Sequence, residues 1–362
     1  MKSPLDGVEA AITGLWEEES RRNGAPRMGL MTLVCLVAEP GLLDRADNGV
    51  AAVVRAHPSR TIVASWRSDG PAAITAEVTL HHTKDDAPAC GDAIHLEAIG
   101  AGRQWLPENI VRLTLPDLPV CVWWLGDLPD GDRLFEQAVA FADMVVVNSG
   151  EMDLRDLEKL SEICARSRDR YAVTDLTWFR LRPLQELVAR FFDDELGRGQ
   201  LSQLERAVIE FAPRLGETDV ASTQAGLLFG WIAQALDLRT ESISWRRAES
   251  WGEVALGRFV ARFERRSRDD VPAGSILRVA LECRRGRFEI ERQEDPCVFR
   301  WSRDLPDSAA PPHTLRIAIQ GETALLVRCL ENPKRDRLLE ASLHMGSRIV
   351  RPVAPRVSVA PQ

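Results

Sequence analysis

Three short clusters in this chain carry the residue types that recognition and catalysis use. Trp123-Trp124-Leu125-Gly126-Asp127 runs on to Asp130 and Asp132, Asn148-Ser149-Gly150 forms the second, and Asp175, Thr177 and Trp178 form the third. Indoles offer stacking area to a sugar ring or a partner's side chain, and carboxylates accept its hydroxyls. Such a grouping suits a groove for a sugar, a phosphate or a partner loop. The same residues also have structural uses. Asp130, Asp132 and Asp153 sit where helix first turns favour acids, and tandem tryptophans fill space between a sheet and a helix. Asn148-Ser149-Gly150 serves either an anion at the start of the next helix or a turn that needs glycine.

Dedicated motifs are missing. There is no G-x-x-x-x-G-K-[ST], no G-x-G-x-x-G opening a helix after a strand, no G-x-S-x-G elbow and no H-E-x-x-H. No cofactor and no metal are therefore expected. His81-His82 with Asp85 and Asp86 comes nearest to a metal set, but adjacent strand residues point to opposite faces, so both imidazoles do not converge on one ion. Cys90, Cys164 and Ser149 are possible nucleophiles with no base beside them in the sequence, and no catalytic constellation emerges. In His57-Pro58-Ser59-Arg60 the proline ends a helix, the histidine meets the favourable end of its dipole, and Arg60 reads as an ordinary surface ion pair.

The elements that must position these residues follow from periodicity. Met31–Val37, a helical stretch near Leu42–Ala56 and the run TIVASW make a β-α-β start after an acidic amphipathic N-terminal helix. Ile74–His82 and Ala93–Ile99 alternate and read as half-exposed antiparallel strands at one side of the sheet. Val120–Leu125, Met144–Ser149 and Tyr171–Leu176 are apolar runs separated by helical patterns at 133–142 and 153–167, which predicts buried parallel strands. Asp153 is the expected N-cap of the second helix, with Leu154, Leu157, Leu160 and Ile163 on its buried face.

Beyond a polar, glycine-bearing stretch at Asp193–Gln200 the character changes. LERAVIEFA reads as a strand and Gly226–Leu238 as a helix apolar on nearly every side. SISWRR, RFVARFERR, SILRVALECRRG, RFEIERQE, TLRIAIQ and LLVRCLE then alternate with arginine outward, as antiparallel strands do. The fold class expected is α/β: an N-terminal mixed, largely parallel sheet with flanking helices (1–195), then an α+β domain of antiparallel strands packed on a buried helix (196–350). Residues 351–362, rich in proline, read as a flexible tail.

Composition agrees with a globular chain. Of 362 residues, 45% are hydrophobic and 28% charged, with a formal net charge of −8. Residues 1–238 carry 23 basic and 37 acidic side chains, and 239–362 carry 23 and 17, a change of sign that fits two domains. The acidic balance argues against nucleic acid or an anionic membrane as partner. No apolar run is long enough to span a bilayer, no signal peptide is evident, and seven scattered cysteines without C-x-x-C suggest reduced thiols, so a cytoplasmic location is expected.

At these same segments the chain resembles the OpcA family, the glucose-6-phosphate dehydrogenase assembly proteins. The resemblance rests on Ala56–Val63, Cys90–Gly100, Leu115–Pro129, Asp175–Glu195 and Leu227–Leu238, and above all on the patterns DLPVxxWW and DLTWxRLxPxxxL in that order. It implies a non-catalytic accessory protein that promotes assembly or allosteric activation of glucose-6-phosphate dehydrogenase in the oxidative pentose phosphate pathway. That enzyme is then the partner, a homo-oligomer is possible, and NADP chemistry enters only through the partner. Carried over from the matching motifs, the candidate partner or ligand surface comprises His57, Arg60, Trp123, Trp124, Asp127, Asp175, Thr177, Trp178 and Arg180; tryptophan and arginine suit interface anchors. The structural alternative is that the motifs stabilise a domain junction. Ser59 stands where the family pattern leads one to expect cysteine, so the redox control linked to some relatives is not expected, and Leu184-Gln185 follow Pro183 where tryptophan is common. The competing reading is an enzyme binding a sugar phosphate or nucleotide through the strand-end carboxylates, and a third is a former ligand-binding domain that now binds only protein.

Overall fold

A computed structural model describes residues 2–3, 5–24, 27, 29–82, 88–128, 131–167, 170–214, 219, 221–238, 243–248, 250–306, 308–309, 311–331 and 334–350. The expected tail at 351–362 lies outside the described residues, as do Asp85, Asp86 and Asp130. Two compact units emerge, each from separate stretches: 1–148, 166–176 and 321–336 form the first, and 149–165, 177–320 and 337–362 the second. This differs from a single boundary at 195, because 177–195 belongs to the second unit and 321–336 returns to the first.

The helices are α1 (Val8–Asn23), α2 (Leu43–Ala56), α3 (Leu106–Leu113), α4 (Arg133–Ala140), α5 (Asp156–Ser167), α6 (Leu176–Ala189), α7 (Glu195–Leu201), α8 (Thr223–Ala235), α9 (Glu322–Leu330) and α10 (Arg337–Ser347). In the first unit the strands are β1 (Lys2–Ser3), β2 (Thr32–Val37), β3 (Arg60–Arg67), β4 (Ala73–His82), β5 (Ala89–Ile99), β6 (Val120–Leu125), β7 (Met144–Val147) and β8 (Ala172–Asp175). They form one mixed sheet in the order β1-β4-β5-β3-β2-β6-β7-β8.

From β5 to β8 the neighbours run parallel. Strands β2, β6, β7 and β8 are buried at every residue, which is why their sequences are continuous apolar runs. Only the pairs β1–β4 and β4–β5 are antiparallel here. The expected pair is antiparallel, and β4 alternates and is half exposed as expected, whereas β5 also pairs parallel with β3 and is buried over most of its length. Chain order places β3 on one side of β2 and β6 on the other, so the sheet changes winding direction at β2.

The second unit holds β9 (Leu204–Phe211), β10 (Ile243–Arg247), β11 (Trp251–Leu256), β12 (Phe259–Arg265), β13 (Ile276–Cys283), β14 (Gly286–Arg292), β15 (Val298–Leu305), β16 (Ser308–Ala309) and β17 (His313–Arg316). Their order is β10-β11-β12-β9-β13-β14-β15-β16, with β17 on β15, and only the β12–β9 pair is parallel. Inner-face residues Ile209, Phe263, Val279 and Phe288 are buried, and Phe229 of α8 meets Phe263 edge-on at 5.8 Å. Helix α8 is the apolar helix expected from the sequence. It crosses α10 at backbone range: a Cβ on Gly230 would lie 2.0 Å from the Ser342 carbonyl oxygen, so only glycine fits.

Two local expectations are corrected. LLVRCLE is not a strand but lies largely on α9: Leu325, Val327 and Cys329 alternate over a short window, but the buried positions Leu325, Leu326, Cys329 and Leu330 have helical spacing. Asp153 does not cap α5, which begins at Asp156; the Asp153 backbone N–H instead donates to the Asp156 carboxylate at 3.1 Å.

Candidate functional site

Ligand sites in open α/β sheets lie beyond the carboxyl ends of the parallel strands, at the point where winding reverses. At that edge Trp123 and Trp124, adjacent on β6, point to opposite faces. Trp123 is fully buried against α2, where Gly49 makes room: a Cβ there would fall 2.5 Å from the indole. Trp124 is 2% exposed. It lies 6.1 Å from Trp66 and meets Phe135 of α4 edge-on at 5.1 Å, and its Nε1 donates to the Asp127 carbonyl at 2.8 Å. Both indoles are core, so the tandem tryptophans serve the space-filling role and present no exposed anchor.

What surrounds this aromatic cluster is exposed. The Arg103 guanidinium lies 4.5 Å above the Trp66 ring and pairs with Asp132. Asp132 also caps α4, accepting the Leu134 N–H at 2.8 Å, which fixes the loop against the helix. Trp105, ending the 3-10 turn Gly100–Trp105 that follows β5, remains 43% exposed. Arg103, Gln104, Trp105, Asp132, Arg133 and Gln137 line a groove of about 820 Å³. Sequence reasoning singled out only Asp132 among them. An isolated tryptophan after G-A-G-R at the end of a strand was the available signal.

The other candidates are dispersed. Arg60, 2% exposed, is no surface ion pair. Its Nε donates to Asp92 at 3.0 Å and its Nη1 to the Leu113 carbonyl at 2.9 Å, and it pairs with Glu9. Burial opposes its charge, but the hydrogen bonds with Asp92 and Glu9 outweigh that and raise its pKa further. Asp92, which sequence reasoning passed over, is the hub and also accepts from Arg27 at 2.9 Å and from Trp16 at 3.3 Å. His57 ends α2, its N–H bonded to the Val53 carbonyl at 2.7 Å. Among the described strand-end carboxylates, Asp132 is thus committed to Arg103, Asp127 faces solvent and Asp175 is fully buried.

Thr177, Trp178 and Arg180 belong to the second unit. Thr177 is buried and accepts the Gly150 N–H at 2.6 Å, which removes that donor from an anion site. Trp178 is 2% exposed and Arg180 half-buried. Among the possible nucleophiles, Cys164 and Ser149 are buried, and burial raises the Cys90 thiol pKa, away from the reactive thiolate. Among the described residues no group of three or more His, Cys, Asp or Glu could hold a metal, and no helix is long and apolar enough to cross a membrane.

Residues 50–162 match a family model described as glucose-6-phosphate dehydrogenase subunit N-terminal domain, and residues 171–343 match the C-terminal domain of the same description. An OxPP cycle protein OpcA from Synechocystis sp. is 25% identical over 260 residues, covering 68% of this chain and 53% of that protein. Its counterpart from Synechococcus elongatus is 27% identical over 184 residues, 50% of this chain and 40% of the other. The chain thus spans about half the length of the curated relatives it matches. Among solved structures, an oxidoreductase domain protein from Kribbella flavida superposes with a TM-score of 0.52 at 10% identity, covering 89% of this chain and 96% of that one. That likeness concerns the fold alone.

Oxidoreductases of this architecture hold a dinucleotide at the turn after the first parallel strand, through glycines and free N–H groups at a helix start. Here that turn reads Ala38-Glu39-Pro40-Gly41-Leu42. Pro40 has no N–H to donate, and the exposed Glu39 adds a negative charge. Across the turn, Ala38 bonds the Leu125 carbonyl at 3.0 Å and its Cβ would lie 2.8 Å from a Cβ on Gly126, closing the space from the β6 side. These residues do not fit a dinucleotide.

Proposed function

The chain belongs to the OpcA family, and from that premise we propose that it is a non-catalytic accessory protein of glucose-6-phosphate dehydrogenase, promoting that enzyme's assembly or allosteric activation. The observation that carries this reading is the pair of family-model matches, over residues 50–162 and 171–343, which reach into both units. The commitment of Asp132 to Arg103, the burial of Asp175 and the ill-suited dinucleotide turn support it over a ligand-binding enzyme. We place the role in the cytoplasm with the oxidative pentose phosphate pathway.

Such a protein acts by binding one state of the dehydrogenase more tightly than another. A coupling of about 1–3 kcal/mol between its site and the substrate site changes substrate affinity by about 5–150-fold. Size-exclusion chromatography of the chain with the same organism's dehydrogenase, at matched concentrations, tests the association. A stable or concentration-dependent joint peak is expected; separate elution at every concentration, with no change in dehydrogenase kinetics, contradicts the reading.

A further inference from the structure

We propose that the groove beside Trp105 and Arg133 is the docking site for a carboxylate-bearing surface segment of the dehydrogenase. The partner's identity rests on the accessory reading above, and the groove's chemistry does not. Trp105 keeps 43% of its surface exposed, although Trp123 and Trp124 at this edge are buried and Trp66 is half-buried. Arg133 has no ionic partner among the described residues. Arg103 is held by Trp66 below and Asp132 beside it, so it forms a rigid floor whose charge is already balanced. The groove therefore offers one guanidinium without an ionic partner among the described residues next to one open indole, in a chain whose net charge is −8. A carboxylate next to an apolar or proline side chain complements that pair.

Openness selects a protein segment over a small molecule. Sites for small ligands bury about 70–90% of the ligand surface, whereas Gln104, Trp105, Arg133 and Gln137 all stand exposed to solvent. A small anion in this groove would remain largely hydrated. A folded partner supplies its own bulk around the indole and guanidinium and excludes water from them, the condition under which tryptophan and arginine become dominant contacts. Gln104 and Gln137 can then bond the segment's backbone.

Calorimetric titration of wild type, Trp105→Ala, Arg133→Glu and Arg133→Lys against the same organism's dehydrogenase tests this, with melting temperatures measured in parallel. Trp105→Ala and Arg133→Glu should each weaken binding by about thirtyfold, the fold-change that ~2 kcal/mol represents, with melting unchanged. Arg133→Lys should lose less, because it keeps the charge but not the fork. If Trp105→Ala lowers the melting temperature, the two Arg133 variants carry the test. Wild-type binding that both Trp105→Ala and Arg133→Glu preserve overturns the docking site and leaves the accessory reading standing. No wild-type binding overturns both. A thermal shift with inorganic phosphate or a sugar phosphate that Arg133→Glu abolishes assigns the groove to a small anion and overturns docking.

Discussion

On the outer face of the nine-stranded sheet arginines and glutamates satisfy one another, whereas at the carboxyl edge of the eight-stranded sheet Arg133 stands beside an exposed indole with no ionic partner among the described residues. In the second unit Arg278 pairs with Glu210 and with Glu289 at 2.9 Å, and Arg206 reaches Glu253 at 3.1 Å. Arg266 lies 3.4 Å from both Glu210 and Glu291, and Arg262 covers the Trp251 ring at 4.5 Å. Ala280, on the same face between Val208 and Glu289, is fully buried. Such a face is complete in itself. The groove of the first unit is built differently: its inner charges, Arg103 and Asp132, are paired, and its outer one, Arg133, has no ionic partner among the described residues. Charge density alone therefore does not distinguish the two regions; an arginine without an ionic partner among the described residues beside exposed apolar area does, and the proposed docking site rests on that difference.

That contrast can be broken or sharpened by substitution, beginning with the largest effect. Asp92→Ala leaves Arg60 buried without its main partner and should destabilise the first unit by about 3–5 kcal/mol, the usual cost of an uncompensated buried charge; chemical denaturation measures it, and a loss under 1 kcal/mol would mean that Glu9 and the Leu113 carbonyl suffice. Gly230→Ala forces a methyl against the Ser342 carbonyl and should cost about 1–3 kcal/mol, read by the same method in the second unit.

Acid should act on the first unit. Burial, helped by nearby His95, lowers the His81 pKa from 6.5 to about 4, while its Nε2 meets the Thr61 hydroxyl at 3.2 Å. Asp92, His82 and Arg55 also act on it electrostatically. Between those two pH values the unfolded chain binds a proton that the folded imidazole refuses, so this contribution is complete above pH 6.5 and is lost as pH falls toward 4. Melting temperature should fall over that window, and His81→Asn should flatten the decline. The smallest effect belongs to the charged sheet face: Arg278→Ala should cost about 1 kcal/mol or less and leave dehydrogenase binding unchanged, since its partners share other arginines. Lost binding there would place the partner surface on the second sheet and undo the comparison.

How much of this was legible in the sequence depends on how local each feature is. Continuous apolar runs gave β2, β6, β7 and β8 because strands buried on both faces need no alternation. The apolar helix α8 and alternating β12, β13 and β14 were equally plain. Helix α9 reads as a strand because Leu325, Val327 and Cys329 alternate around Arg328, whereas its buried positions, Leu325, Leu326, Cys329 and Leu330, keep helical spacing. Its return to the first unit, pairing Glu322 with Arg45, joins residues 277 positions apart and leaves no local trace.

The site suffered in a similar way. Tandem tryptophans drew attention as anchors, but whether an indole faces solvent depends on what packs above it, and Gly49 and Phe135 come from other segments. Arg60 looked like a surface charge because its partners, Glu9 and Asp92, are 51 and 32 residues away. Trp105 was overlooked because its importance lies in being the indole left uncovered, which is a property of the fold and not of the motif.

The most direct measurement is the initial rate of the same organism's glucose-6-phosphate dehydrogenase across substrate concentrations, at constant salt, with this protein titrated in as wild type and as Arg133→Glu. The account predicts a saturable change in apparent substrate affinity or maximal rate with wild type, and the same limiting change at much higher concentration with the variant. An unchanged rate law at every wild-type concentration would contradict it.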